Sequence, residues 1–178
     1  MNIRTPSLIV IILCFAFPGT RASLAQTADD PALRSLVEKF FVSFQNEELD
    51  SLMSLWSPQS PDRQTSRQSF QGIFARVDKI QIKNLTISRL TLDAGRASVR
   101  VACEMTAVDA KTGTPAAGFG RVNRTIQFVK EGVDWRVSAY LISEEELARA
   151  LTAAKLDGDR RALLEQEKEL VNQDLEKA

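Results

Sequence analysis

The chain has 178 residues, 44% of them hydrophobic, which is one domain's worth and enough to bury a core. Its 23 lysines and arginines equal its 23 aspartates and glutamates, so there is no basic excess to hold nucleic acid. Histidine is absent, which excludes serine and cysteine triads of the usual kind, histidine-ligated zinc and iron, and the commonest general base at neutral pH.

Residues 1–25 read as a targeting segment and not as part of the fold. Arg4 gives a positive start, residues 8–17 are an unbroken apolar run, and Pro18, Gly19, Thr20 and Arg21 break it. Ser23-Leu24-Ala25 then offers small residues at the two positions a signal peptidase reads. The apolar run is about half of the roughly 20 residues that span a bilayer, so a cleaved signal peptide is preferred to a membrane anchor. Cleavage after Ala25 would release a periplasmic or secreted bacterial chain beginning at Gln26, slightly acidic and with no membrane contact afterwards. Cys14 lies in the leader behind Leu13, where lipid attachment would need a small residue. Cys103 is then alone, so no disulfide within the mature chain is available, and its phase with Val99, Val101 and Met105 makes it a buried structural thiol.

The folded part begins with helices. Asp29-Asp30-Pro31 opens the first: an aspartate caps the free amides and proline suits the first helical position. Leu33, Leu36, Val37, Phe40, Phe41 and Phe44 recur at spacings of three and four and share one face. A short second helix is expected over residues 48–56, presenting Leu49, Leu52, Met53 and Trp56, and Pro58 and Pro61 end it. A third, over about residues 62–77, turns Phe70, Ile73, Phe74 and Val77 toward the core.

The period then changes from 3.6 to 2. Residues 80–92 form a long strand whose apolar phase slips twice, from Ile80 and Ile82 to Leu85 and Ile87 and then to Leu90 and Leu92; such slips mark bulges, which bend a sheet. Residues 93–96 turn into a strand over 97–108. A hairpin follows, with strands at 119–130 and 135–141 and a turn at 131–134. On its return strand Trp135, Val137, Ala139 and Leu141 alternate with Arg136, Ser138 and Tyr140, so the first set faces the core and Tyr140 faces out. Helices first and a bent antiparallel meander second is an α+β arrangement with the helices on one sheet face.

An aromatic-rich helix, the short ELDSLMSLW helix, a third helix and a curved sheet ending in VDWRVSAYLI together resemble the NTF2-like (SnoaL-like) superfamily over residues 31–143. The resemblance implies a cone, also called cystatin-like: a strongly bent sheet wrapped around the first helix with a pocket between them. It implies no cofactor. It also implies a choice, because the superfamily includes isomerases, polyketide cyclases and dehydratases as well as members that only bind or assemble. Pairing through the sheet is common among them, and Val108, Phe119 and Tyr140 would be outer-face contacts of a homodimer.

An isomerase of this family needs an aspartate base with a tyrosine and a protonated acid that stabilise an oxyanion. The sole tyrosine is Tyr140, placed outward by its phase; Phe40 and Phe44 stand on the first helix where a hydroxyl would be wanted. Glu104 alternates against the core set and points to water, and Asp109 lies at a strand end where a solvated carboxylate is expected. No base and oxyanion partner converge, so no catalytic residue is assigned. Arg124 does break the pattern: it shares phase with Val122, Ile126 and Phe128, and would either enter the pocket and bind an anion or pack its stem on the core with its head in water. Phe40, Phe44, Trp56, Phe74, Arg124 and Trp135 are the candidate ligand-binding residues, for a small apolar or anionic ligand. Metal ligands are not expected.

Residues 144–178 make a charged helical tail. Ser143 and Glu146 match a capping box, residues 157–159 break the helix, and residues 160–178 resume it. This last stretch resembles the helical linker before tetratricopeptide arrays in secreted bacterial proteins with a CHAT protease-like end, which would make the chain part of a larger repeat protein. It would otherwise be a solvated tail or a helix that docks back on the domain, and an apolar stripe on it would serve a protein partner. The reading is a secreted, non-catalytic NTF2-like module for ligand binding or assembly, with a small isomerase or cyclase as the alternative.

Overall fold

The computed structural model describes residues 30–175. Three helices come first: α1 (Pro31–Gln45), α2 (Leu49–Ser54) and α3 (Arg63–Phe74). Asp30 caps α1, its Oδ1 accepting from the amides of Ala32 at 2.9 Å and Leu33 at 3.2 Å, and Pro31 takes the first turn where its missing N–H costs nothing. Leu33, Val37, Phe40, Phe41 and Phe44 are all buried along one side of α1. No described helix is long and apolar enough to cross a membrane.

Four antiparallel strands follow in sequence order, β1 (Val77–Asp93), β2 (Arg96–Asp109), β3 (Gly120–Glu131) and β4 (Asp134–Ile142). The two phase slips expected in the first strand are present as register shifts against β2, between Lys83 and Thr86 and between Ile87 and Arg89, and a third, unexpected shift lies between Asp78 and Gln81. Lys79 and Asn84 both take φ of 54° there, the left-handed conformation that lets a strand gain a residue and bend. The bent sheet turns one face toward α1. Val99, Val101, Cys103, Ile126, Phe128 and Val137 are buried on it, in contact with the helix side chains.

The return strand of the hairpin departs from simple alternation. Its pairing with β3 shifts between Gln127 and Phe128, so that Phe128 faces Val137 while Gln127 faces Ala139, and Ser138 is the extra residue. This bulge re-phases everything after it. Tyr140 lands opposite Ile126 on the inner face and stacks on Phe40 at 5.1 Å, which corrects its expected outward position. Phe119 also packs against the core and is no outer-face contact; Val108 keeps the outer phase, where it bridges to Pro115. The free edge of β4 is covered beside the bulge, where Val137 bonds the backbone of Leu55 and Ser57 at 2.9 and 2.8 Å.

Three helices close the described chain: α4 (Ser143–Ala153), α5 (Asp157–Gln166) and α6 (Lys168–Leu175). The capping box expected at α4 does not form. Ser143 is buried and shares a 3.0 Å hydrogen bond with the Thr125 hydroxyl, while Glu144 accepts from the Asn123 amide at 3.0 Å. The hydroxyl is spent on the sheet because α4 folds back over its outer face. The tail does the same further on, where Glu167 meets Arg89 of β1 and Arg100 of β2. Of the alternatives for the tail, docking on the domain is the one adopted. The proposed leader, with its cleavage after Ala25, lies outside the described residues.

Candidate functional site

The inner face of the sheet and the helices enclose a cluster of rings. Phe70 of α3 is its hub, with ring centroids at 6.0 Å from Phe40, 5.9 Å from Phe44, 6.4 Å from Trp56 and 5.7 Å from Tyr140. Phe74 joins through Phe44 at 5.4 Å. Most pairs meet edge to face, as the ring quadrupoles prefer. Phe40, Phe44, Trp56 and Phe70 are at most 4% exposed, so these side chains fill the cone. The Trp56 indole N–H is buried there without a hydrogen-bond partner.

Arg124 stands on the same face, opposite Val101 on one side and Ile142 on the other. Its Nη1 donates to the Asn123 carbonyl at 2.8 Å, and the guanidinium carbon lies 5.9 Å from the centre of the Tyr140 ring. Among the described residues no carboxylate pairs with it, and it is half-buried, so the charge is held beside a phenol and within reach of solvent. Burial pushes the Tyr140 phenol up to about 12, and the Arg124 charge acts in the opposite direction. The Cys103 thiol is pushed up to about 11 by burial, again opposed by Arg124. Both groups are therefore neutral at physiological pH, and the inner corner carries a single positive charge with a hydroxyl next to it.

Five of the six expected ligand-binding residues thus come together: Phe40, Phe44 and Trp56 through Phe70, Phe74 through Phe44, and Arg124 through Tyr140. Trp135 does not join them. Its Nε1 donates to Asp30 at 3.2 Å and its ring carries the Lys130 ammonium at 5.7 Å, so it ties the start of α1 to the hairpin. Tyr140 and Phe70 were not among the expected ligand-binding residues. Phe70 was legible only as a core residue of α3, and the bulge that brings Tyr140 inward has no signature in an alternating stretch.

The carboxylates do not converge on this corner. Asp109 is half-buried at the strand end and accepts from the amides of Thr112 and Lys111, both at 2.9 Å, which hold it below the usual carboxylate range. Eight positions of β2 separate it from Val101, the residue facing Arg124, or roughly 25 Å of strand. Glu104 is exposed on the outer face, opposite Lys83 and Arg121. A cavity of about 710 Å³ opens elsewhere, where the loop of Ser57 and Ser60 meets the sheet near Arg96, Ser98, Gln127 and Glu131. Its wall mixes hydroxyls and opposed charges with apolar side chains such as Pro61, Phe128 and Val129, and Ser57 there donates to Glu131 at 2.5 Å.

Neither a family model nor a curated protein matches the chain. Solved structures do. One is a protein of the NTF2-like family from Streptomyces avermitilis, designated a dehydratase: 15% identity over 61% of this chain and 90% of that one, with a TM-score of 0.51. A conserved protein from Planctomyces limnophilus aligns at 13% identity over 61% and 90%, with a TM-score of 0.50. A ketosteroid isomerase-like protein from Erwinia carotovora atroseptica gives 14% identity over 61% and 90%, with a TM-score of 0.48. Identities this low speak to architecture and not to activity. With its helices inside a bent four-stranded meander, the chain has the NTF2-like fold.

Proposed function

We propose that the chain is a secreted, non-catalytic binding module whose ligand is small and anionic with an apolar body, held by Arg124 and Tyr140 at the inner face of the cone. The observation that carries this is Arg124 itself: a half-buried cation on the inner face, unpaired with any carboxylate of the described residues, next to a phenol that can donate a second hydrogen bond. A charge kept in such a place is stabilised when an anion meets it, and the half-buried Tyr140 ring beside it offers the body of a ligand an apolar surface. Export rests on the leader read in residues 1–25.

A general base must lie within about 3 Å of the proton it takes. The inner-face positions of the strands around Arg124 are Val101, Cys103, Val122, Ile126, Tyr140 and Ile142. Cys103 is held as a neutral thiol and Tyr140 as a neutral phenol, so neither serves as a base at neutral pH. The alternative, a small isomerase or cyclase, draws on one observation: Tyr140 beside Arg124 is a fit oxyanion-stabilising pair. Among the described strand positions around Arg124 there is no base to create the oxyanion.

A thermal-shift screen of carboxylates, sterols and aromatic polyketide-like compounds against wild type and Arg124→Ala tests the reading. Stabilisation by anionic, apolar-bodied compounds that vanishes in the variant is expected. Stabilisation that is equal in both proteins, or confined to uncharged compounds, would remove Arg124 from the site.

A further inference from the structure

The outer face of the sheet carries two arginines directly opposite one another, Arg89 of β1 and Arg100 of β2. Like charges so placed repel, and here both side chains are largely withdrawn from water, 30% and 16% exposed. Burial, and then the neighbouring Arg89, lower the pKa of Arg100, while the charges of Glu146 and Glu144 act in the opposite direction. An anion between them relieves both effects. Glu167 supplies it: its Oε1 accepts from Arg89 at 2.7 Å and its Oε2 from Arg100, a bridging carboxylate only 10% exposed.

Glu167 does not belong to the sheet. It stands between α5 and α6, in a segment tied to the domain through little else. Among described side chains α5 buries none, and beyond it Glu167 and Leu170 are the buried ones. The connection from α4 is extended at Ala154 and Leu156, and Leu156 is 66% exposed. The site is larger than its occupant. Cavities of about 330 and 260 Å³ adjoin the carboxylate, the first reaching Ser88 and Asn123, the second Ser98 and Thr125. The Arg100 Nε is buried without a hydrogen-bond partner.

We infer that Arg89 and Arg100 form a carboxylate-binding site on the outer face, that Glu167 fills it as a tethered ligand, and that the site also accepts residues 157–175 of a second copy of the chain. Contacts made between copies are those already made within one, so exchange needs no new complementarity. The tether holds the tail at an effective concentration of about millimolar, so the intramolecular form prevails in dilute protein and exchange grows as the protein concentration approaches that value.

The test uses the full chain carrying Glu167→Gln as receptor and a fluorescent peptide of residues 157–175 as probe. The wild-type peptide is expected to bind this receptor at least about tenfold more tightly than the same peptide with its own Glu167→Gln, and more tightly than it binds the wild-type chain, whose site is filled. Adding Arg100→Met to the receptor should abolish binding. Equal binding of the two peptides, or no binding to the Glu167→Gln chain, overturns the proposal. A measurement on the unmodified chain stands beside it. Glutarate should speed hydrogen exchange in residues 157–175, while sodium chloride at the same ionic strength should not; no acceleration, or the same acceleration by both, also overturns it.

Discussion

The Tyr140 phenol is pressed between Phe40 and Phe70 and faced by Arg124, and its ionisation is displaced to about 12 from an ordinary 10.0. The folded chain prefers the protonated phenol more strongly than the unfolded chain does. That preference is fully present below about pH 10 and is lost as pH rises through 12. Cys103 adds the same sign over a lower window, from 9.0 to about 11. Urea unfolding from pH 8 to 12 should therefore show stability falling by roughly 1–3 kcal/mol per group. Tyr140→Phe should remove the upper part of that fall and leave the lower. At pH 8 Cys103 should resist thiol reagents until the chain unfolds, because the reactive thiolate is scarce and the sulfur is buried. Phe40, fully buried and in contact with three other rings, tests the packing: Phe40→Ala should lower stability by about 3–5 kcal/mol in the same assay.

At the scale of elements, bulges set which side chains meet. Two slips in β1 were legible in the sequence, since its apolar residues visibly change phase. They fall between Lys83 and Thr86, where Asn84 adopts φ of 54°, and between Ile87 and Arg89. The slip at Lys79, also at φ of 54°, precedes the expected strand and was not legible. Lys79→Gly should raise stability by about 0.5–1 kcal/mol by relieving that conformation, whereas glycine at Lys83, which is not in it, should lower stability by a similar amount. The bulge in β4 was not legible. Ala139 is buried and Leu141 half-buried, as an unbroken alternation requires, but they lie on the outer face beneath the returning chain. An apolar outer face is indistinguishable in sequence from a core face when something covers it. Deleting Ser138 should restore regular pairing and leave Tyr140 opposite Ile126 on the inner face, its phenol still near 12; a return toward 10.0 in an ultraviolet titration would contradict this register.

Across the whole molecule, the order of helices and strands was enough to place the fold, because the helical and strand periods are distinct and the turns carry glycine, proline or aspartate where the chain reverses. The site was legible in part. Arg124 showed itself as a charge in an apolar phase, and the aromatic residues of α1 and α3 as a face. What the sequence hid were contacts between distant segments: Glu167 lies in a run of charges that reads as solvated, and Arg89 and Arg100 look like surface residues until the tail folds over them. On the proposals above, recognition lies inside the cone and self-contact outside it. Calorimetric titration of the best-stabilising carboxylate into wild type, Arg124→Ala and Tyr140→Phe, with the compound analysed afterwards, tests this most directly. Affinity should fall at least about tenfold in Arg124→Ala and less in Tyr140→Phe, with the compound recovered unchanged. Undiminished affinity in Arg124→Ala, or conversion of the compound by the wild-type chain, would contradict it.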